Sequence, residues 1–174
     1  MKTKRVVVAP YDRRWAVEYE RIRQELTLAL GETAIGIEHV GSTSVEGLWA
    51  KPIIDIDVII ADGRVFPDVA GRLAAIGYQH EGNLGIEGRE AFHYNEKPHL
   101  MAHHLYVCTQ DSPELKRHIG FRDYLRAHPE DAAAYSQVKQ QGARLFPDDI
   151  DRYIAYKSAC IEGIYQKCGL LHDA

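Results

Sequence analysis

The stretch VGSTSVEGLWAKPIIDIDVII, residues 40–60, decides how this chain folds. It begins with Gly41 and Ser42, a pair that predicts a turn after an apolar segment. It ends with Asp55 and Asp57 inside a run of branched apolar residues, a composition typical of a β-strand. Because successive side chains of a strand point to opposite faces, the two carboxylates share one face. The stretch therefore predicts a turn followed by a strand that carries an acid pair.

The acid pair predicts a cation, because two neighbouring carboxylates on a buried strand repel each other and lose solvation. Mg²⁺ is the natural candidate, since it binds carboxylate, water and phosphate oxygens. Gly41 allows a phosphate to approach the backbone, and the hydroxyl groups of Ser42 and Ser44 are positioned to donate to it. An exposed strand face, or an acid pair held by lysine and arginine, is the alternative explanation.

Composition indicates one compact domain. With 174 residues, 45% of them hydrophobic, we predict a single domain over residues 1–174, with a sheet core over about 1–110 and a helical part over about 111–174. The net charge of −4 argues against an extended nucleic-acid-binding surface. Three widely spaced cysteines and no signal-peptide pattern favour a reduced, cytoplasmic setting. No apolar run approaches the roughly 20 residues of a membrane span.

Hydrophobic periodicity and turn residues predict an α/β or layered α+β arrangement. The predicted strands cover residues 4–9, 35–40, 53–60 and 101–108, with a hairpin within 78–98. The predicted helices cover residues 12–30, 65–76, 112–128, 129–142 and 148–169, the last capped by Asp148. The C-terminal third is therefore expected to be helical and to pack on a mixed sheet.

The turn and the acid pair together carry a resemblance to a known superfamily. A hydrophobic residue, Gly-Ser, twelve intervening residues and Asp-Ile-Asp resemble the signature of nucleotidyltransferases with the polymerase-β-like fold. GSTSVEGLWAKPIIDIDV is similar to the hallmark of the GrpB family, and the likeness extends to VAPYDRRWAVEYE, HHLYV, FRDYLRAHPEDAAAY and AYKSACIEG. The resemblance implies a nucleotidyltransferase-like mixed sheet flanked by helices, with a helical C-terminal part.

One element of the superfamily pattern is missing from this sequence. Nucleotidyltransferases usually place a third carboxylate on a later strand, but the strand MAHHLYVC has none and offers His103 and His104 instead. Because side chains alternate along a strand, one of these histidines lies on the face of the aspartates, and the sequence leaves open which one. The resemblance thus implies Asp55, Asp57 and His104 as catalytic residues. It implies Asp55, Asp57, His103 and His104 as metal ligands, with Mn²⁺ or Zn²⁺ as alternatives to Mg²⁺. Each histidine can equally be a hydrogen-bonded core residue.

Several basic and hydroxyl residues are candidates for phosphate binding. Along the helix from residue 113, His118, Arg122 and Arg126 follow one another at intervals of four and form a basic stripe. Most such stripes are solvated faces, but an arginine guanidinium also forks onto a phosphate. The predicted phosphate-binding set is Gly41, Ser42, Ser44, Lys51, Arg122 and Lys157.

Two functions of different classes fit these residues. The first is metal-dependent transfer of a nucleotidyl group from a nucleoside triphosphate to an acceptor that the sequence does not identify. The second is a binding module that retains a nucleotide or a phosphorylated small molecule together with a metal but transfers nothing. The missing third carboxylate favours the second, and release of pyrophosphate distinguishes the two. The sequence leaves the acceptor, the base and the oligomeric state open.

Overall fold

A five-stranded mixed sheet with helices packed against it forms the body of the protein. The computed structural model describes residues 5–170. The strands are β1 (Gly36–Val40), β2 (Ile54–Ile60), β3 (Gln79–Gly82), β4 (Glu90–His93) and β5 (His103–Thr109). The α-helices are α1 (Arg14–Leu30), α2 (Phe66–Ala75), α3 (Pro113–Ala127), α4 (Pro129–Leu145) and α5 (Ile150–Lys167). The predicted mixed sheet with a helical C-terminal part is confirmed.

The order of the strands puts the acid-bearing strand beside the histidine-bearing strand. The order is β1-β2-β5-β4-β3. β2 and β5 run parallel, whereas the other neighbouring strands are antiparallel. Asp55 lies opposite His104 in this register, and Asp57 lies opposite Tyr106. The sheet therefore brings the last predicted strand directly alongside the acid pair.

The two faces of β2 differ as alternation predicts. Ile54, Ile56 and Val58 are fully buried in a hydrophobic cluster that also contains apolar residues of α1 and α2. The aspartates alternate with these residues and lie on the other face, where α3 crosses the sheet. One face of the strand thus builds the core and the other builds a polar site.

A second hydrophobic cluster joins the C-terminal helices to the segment after the Gly-Ser turn. Val45 and Leu48 of that segment pack with residues of α3, α4 and α5, namely Phe121, Leu125, Ala132, Tyr135 and Ile164. Apolar burial of this kind contributes about 25 cal/mol per Å². The cluster fixes the three helices over the Gly-Ser turn. Polar residues of these helices can therefore contact the turn.

Two details of the predicted elements are wrong. Residues 5–8 form no strand, and the part of that prediction on Lys4 lies outside the described residues. The backbone there makes only a single antiparallel bridge, in which Ala9 and Ala50 exchange both hydrogen bonds at 2.9 Å. At the start of α5, Asp149 and not Asp148 is the cap, because its Oδ1 accepts from the backbone N–H of Arg152 at 3.1 Å.

None of the helices within residues 5–170 combines the length and the apolar character that crossing a bilayer requires.

Candidate functional site

The Gly41 turn abuts the carboxylate of Asp55. Gly41 has φ +72°, and a Cβ atom built on it would lie 2.3 Å from Oδ2 of Asp55. Residues 42–44 then form one short helical turn, in which the backbone N–H and the hydroxyl of Ser44 donate to the carbonyl of Gly41 at 3.2 and 2.5 Å. Ser44, predicted to contact phosphate, is buried and stabilises the turn itself. Only glycine fits at the point where the turn meets the acid.

Asp57 is the buried member of the acid pair. Its side chain is fully inaccessible, and Oδ2 lies 2.6 Å from Nδ1 of His118 on α3. Burial raises the pKa of Asp57, although the hydrogen bond from His118 opposes this shift. Burial by itself would lower the pKa of His118. The hydrogen bond and the charge interaction with Asp57 outweigh burial and raise this pKa. The two side chains therefore titrate as a coupled pair.

One oxygen of Asp57 has no partner among the described residues. Oδ1 is buried and makes no hydrogen bond to any group within residues 5–170. Leaving a buried carboxylate oxygen unsatisfied is costly, and such atoms mark positions where an ion or a water belongs. The orphaned oxygen lies on the same face of β2 as Asp55, so it fits the hypothesis of a cation between the two aspartates.

Of the two histidines on β5, His104 lies on the face of the aspartates. Nδ1 of His104 lies 2.8 Å from Oδ1 of Asp55, and this hydrogen bond raises the His104 pKa. His103 points to the opposite face, where Nε2 meets the hydroxyl of Tyr78 at 2.7 Å and Nδ1 meets the carbonyl of Met101 at 2.7 Å. The prediction of His103 as a metal ligand is therefore corrected: adjacent strand residues cannot share a face, and His103 is a buried core residue.

Tyr106 occupies the strand position opposite Asp57. Burial raises the Tyr106 pKa to about 12, so the phenol is neutral near pH 7. The guanidinium carbon of Arg89 lies 4.2 Å from the centre of its ring. β5 thus presents a histidine and a tyrosine beside the acid pair and no third carboxylate. Within residues 5–170, no three His, Cys, Asp or Glu side chains form a group arranged to hold a metal ion.

Lys139 on α4 reaches the Gly-Ser turn from the helical side. Its Nζ donates to Oγ of Ser42 and to the carbonyl of Trp49, the latter at 3.1 Å. It also lies 4.3 Å from the centre of the Tyr135 ring. Lys139 is only 3% exposed, and burial lowers its pKa well below the usual value. A lysine that the sequence did not single out is therefore in direct contact with the predicted phosphate-binding serine.

The two predicted lysines interact electrostatically with each other and with residues of the site. Burial lowers the pKa of Lys157 on α5, and the negative charge of Asp55 and the positive charge of Lys51 act on it in opposite directions. Its Nζ lies 4.8 Å from the centre of the Tyr153 ring. Lys139 contacts Ser42. Lys139 and Lys157 both interact electrostatically with Asp55, and Lys51 interacts with Lys157. Three amino groups of this kind, when protonated, are suited to an anion with several negative charges.

Arginines of α3 tie the helix to the sheet and to the turn. Nη1 of Arg122 donates to Oε2 of Glu38 at 2.7 Å and to the carbonyl of His39 at 3.0 Å, and its Nε donates to Asp123. Arg126 donates to the carbonyl of Ser44 at 3.0 and 2.8 Å. Arg122, predicted to bind phosphate, therefore has its guanidinium engaged by protein groups, and it positions the strand that leads into the turn.

Comparison with known proteins places this geometry in a family. The model of the family described as GrpB protein matches residues 5–167. The chain belongs to the GrpB family. UPF0157 protein YqkA of Bacillus subtilis (strain 168) is 35% identical over 159 residues, which cover 91% of this chain and 46% of YqkA. The crystal structure of the conserved protein GrpB from Enterococcus faecalis is 35% identical, with a TM-score of 0.81 over 93% of this chain and 96% of that one. This GrpB-family chain spans about half the length of YqkA.

A similar fold also occurs outside the GrpB family. The structure of Cid1, which has RNA terminal uridylyl transferase activity, superposes with a TM-score of 0.50 over 75% of this chain and 40% of Cid1. The two are 14% identical, so this similarity concerns the fold alone. The GrpB-family chain has a nucleotidyltransferase-like fold, and the family and fold inferred from the sequence are confirmed.

Two residues of the site in this GrpB-family chain were missed by sequence reasoning, namely His118 as the partner of Asp57, and Lys139. His118 belongs to a basic stripe that was read mainly as a solvated face. The signal for Lys139 was its place on α4 four residues after Tyr135, a spacing that puts both side chains on one helix face. Neither pattern reveals which strand or turn the helix face meets, so the contacts depend on tertiary packing.

Cavity size does not identify this site. Two surface cavities of about 660 and 670 Å³ lie along the first part of α3, where Asp111 and Ser112 line both. Neither aspartate of the acid pair lines either cavity. The chemistry of the turn, the acids and the lysines is what distinguishes the candidate site from these grooves.

Proposed function

We propose that this GrpB-family protein transfers a nucleotidyl group from a nucleoside triphosphate to an acceptor and requires a divalent cation. The observation that carries the proposal is the close approach of Gly41 to Asp55, on the strand whose Asp57 has an Oδ1 with no hydrogen-bond partner within residues 5–170. A backbone that closely approaches an acid pair is suited to placing a phosphate next to a cation.

The acid pair fits a divalent cation on the chemistry of its oxygens. Asp55 and Asp57 would hold the ion, with His104 beside them, and Mg²⁺ suits two carboxylates best, whereas Mn²⁺ or Zn²⁺ would also accept the imidazole nitrogen. When bound, such an ion supplies charge neutralisation for phosphoryl oxygens. His104 and His118 each contact one carboxylate oxygen of the acid pair, and such outer partners would orient the carboxylates that hold the ion.

The remaining residues of the site position the triphosphate. Ser42 presents its hydroxyl at the turn, and the amino groups of Lys51, Lys139 and Lys157 offset the negative charge of the phosphates. Arg122 and Arg126 hold β1 and the turn in place through carbonyl and carboxylate contacts. Catalysis of this kind consists mainly of positioning and electrostatic stabilisation, with no covalent bond to the protein.

Release of pyrophosphate tests the proposed transfer. The purified protein is incubated with each common ribonucleoside triphosphate, with Mg²⁺ or Mn²⁺, and with a mixture of candidate acceptors. We expect release that falls by about a hundredfold or more in Asp55→Asn and Asp57→Asn. Asp148→Asn, which changes an exposed acid outside the site, is the matched control and retains the wild-type rate. Equal rates in the wild type and both site variants would contradict the assignment.

A second function is favoured by the residues beside the acid pair. β5 offers His104 and Tyr106 where nucleotidyltransferases have a further carboxylate, and each aspartate already contacts a histidine. These observations support a module that binds a nucleotide or a phosphorylated small molecule, together with a metal, without turnover. Saturable binding of ATP in calorimetry, lost in Asp55→Asn and accompanied by no pyrophosphate release, would select this function over transfer.

A further inference from the structure

Lys139 is a buried lysine to which no carboxylate within residues 5–170 is hydrogen-bonded. Among the described residues, the polar partners of its Nζ are two uncharged oxygens, Oγ of Ser42 and the carbonyl of Trp49. The side chain is 3% exposed, and the Tyr135 ring covers the amino group at 4.3 Å. Moving an unpaired ammonium ion out of water is strongly unfavourable. The geometry therefore favours the neutral amine.

Another buried lysine of the same chain shows what Lys139 lacks. Lys97 is 9% exposed, and its Nζ also lies over a tyrosine ring, that of Tyr78, at 4.6 Å. However, Glu25 supplies a carboxylate oxygen 3.6 Å from the Lys97 amino group. Two lysines thus occupy similar aromatic surroundings, and only one has an anion from the protein beside it. Lys139 contacts Ser42, which is where the proposed function places a phosphate.

The charged and titratable groups around Lys139 come from three elements. Asp55 on β2 favours its charged form, whereas Lys157 on α5 disfavours it. Cys160 on α5 and Tyr135 on α4 have raised pKa values because of burial, so both are neutral near pH 7. Within residues 5–170, the carboxylate that acts on Lys139 is therefore that of Asp55, which already interacts with His104. An additional anion at the turn changes this balance in favour of the ammonium ion.

We propose that Lys139 is an uncharged amine in the ligand-free protein and becomes an ammonium ion when a polyphosphate anion binds at the Gly41–Ser42 turn. The proton comes from solvent and adds to the lone pair of Nζ, and no covalent bond to phosphorus forms or breaks. This inference rests on the proposed function in taking the turn as the phosphate site. It adds that binding is coupled to uptake of a proton, so affinity decreases up to tenfold per pH unit above the pKa of the free amine.

The first measurement examines the ligand-free protein and does not depend on any ligand. Lysine labelled with ¹³C at Cε is incorporated, and each resonance is followed by NMR as the pH is raised. Lys139→Gln identifies the Lys139 signal by its loss, and Lys116→Gln, a change at an exposed lysine of α3, is the matched control. Sequence-specific assignment in the wild type gives the same identification if Lys139→Gln fails to fold. We expect a midpoint well below the ordinary value of about 10.4; an ordinary midpoint would overturn the inference.

The second measurement counts protons on binding. ATP, and separately inorganic tripolyphosphate, is titrated calorimetrically at about pH 8 in buffers of different ionisation enthalpy. The terminal phosphate of ATP is ionised at this pH, and the proton count for tripolyphosphate is taken relative to that of Lys139→Gln, which subtracts any proton that the probe itself releases. We expect uptake of about one proton per anion by the wild type and by Lys116→Gln, and none by Lys139→Gln. Binding without proton uptake by the wild type would overturn this inference and leave the proposed function intact. Absence of binding to either probe would overturn the proposed function, and the NMR midpoint would still decide the charge of Lys139.

Discussion

Gly41 is the residue at which backbone conformation and site chemistry are most closely linked. Its positive φ is unfavourable for any residue with a Cβ, and the space that a Cβ would need is filled by the Asp55 carboxylate. The same chain contains Gly47, which also has a positive φ of +84° but no atom within 4 Å of a built Cβ. Comparing substitutions at the two glycines therefore separates the free-energy cost of a strained backbone from that of a steric contact with Asp55.

Replacement of these glycines tests the close approach. Gly47→Ala is expected to lower the free energy of unfolding by about 1 kcal/mol through backbone strain alone. Gly41→Ala is expected to lower it by clearly more, about 2–4 kcal/mol, because Asp55 must also move. Urea denaturation of both variants and the wild type gives the difference. Equal losses in the two variants would show that the turn does not press on Asp55.

His39 gives the protein a predicted pH dependence on the acid side. Burial lowers its pKa to about 4, and its Nε2 lies 2.9 Å from the hydroxyl of Thr43. The folded protein thus binds this proton less tightly than the unfolded chain, whose histidine titrates near 6.5. The His39 contribution is present above about pH 6.5 and is lost as the pH falls towards 4, by about 3 kcal/mol. Comparing the unfolding free energies of wild type and His39→Gln over this range isolates it; parallel curves would contradict it.

Some site residues follow from local rules and others do not. Alternation along β2 is enough to predict that Asp55 and Asp57 share a face, because a strand fixes side-chain direction residue by residue. Alternation likewise sends one of two adjacent histidines away from the site, although only the register shows that His104 remains. Lys139 follows from no local rule, since lysines on amphipathic helices are usually exposed and its burial depends on how α4 packs.

At the level of elements, α3 connects the sheet to the turn. His118 contacts Asp57, Arg122 contacts Glu38, and Arg126 contacts the carbonyl of Ser44. These three residues are the basic stripe read from the sequence at intervals of four. Helix periodicity is enough to predict the stripe. It does not predict the partners of the stripe, because these lie 61 to 84 positions earlier in the sequence.

The start of α5 offers a test of a single cap. Asp149 is the residue before the first residue of α5, and it accepts a hydrogen bond from the backbone N–H of Arg152. Asp148 precedes this cap residue. Asp149→Ala is expected to cost about 1 kcal/mol of stability, and Asp148→Ala close to nothing. Thermal unfolding by circular dichroism measures both. A larger loss in Asp148→Ala would mean that the helix begins one residue earlier.

Residues 5–8 show why a strand-like composition is insufficient. Three consecutive valines favour an extended conformation, but a strand also needs a neighbour for its backbone hydrogen bonds. The N–H of Val6 instead donates to the carbonyl of Pro147 at 2.8 Å, and Ala9 pairs with Ala50. The segment therefore runs across the C-terminal part as an extended connection and adds nothing to the sheet.

For the whole molecule, the two hydrophobic clusters share the region after the Gly-Ser turn. Leu48 is fully buried in the cluster with α3, α4 and α5, whereas Ala50, two residues later, belongs to the cluster of the sheet with α1 and α2. The chain passes from one core to the other within three residues. Loss of packing on either side is therefore transmitted to the turn and to the acid-bearing strand.

Leu48→Ala tests whether the two parts unfold together. Removing this side chain is expected to cost about 2–5 kcal/mol and to speed native-state hydrogen exchange in peptides of both β2 and α4. Leu28→Ala, at an 88% exposed position of α1, is the control and changes little. Faster exchange in α4 alone would divide residues 5–170 into two independent cooperative units and contradict the single domain predicted from the sequence.

The attachment of Trp49 to α4 has a practical consequence. Its backbone N–H donates to the hydroxyl of Ser136 at 3.0 Å and its carbonyl accepts from Lys139, so the residue is held beside the very amine whose charge is in question. The chain has two tryptophans, and the other, Trp15, is buried in α1. In a Trp15→Phe protein the emission of a single indole is therefore expected to shift as ATP is added. Such a shift would report occupancy of the turn and would make screening of nucleotides possible without a dye or a label.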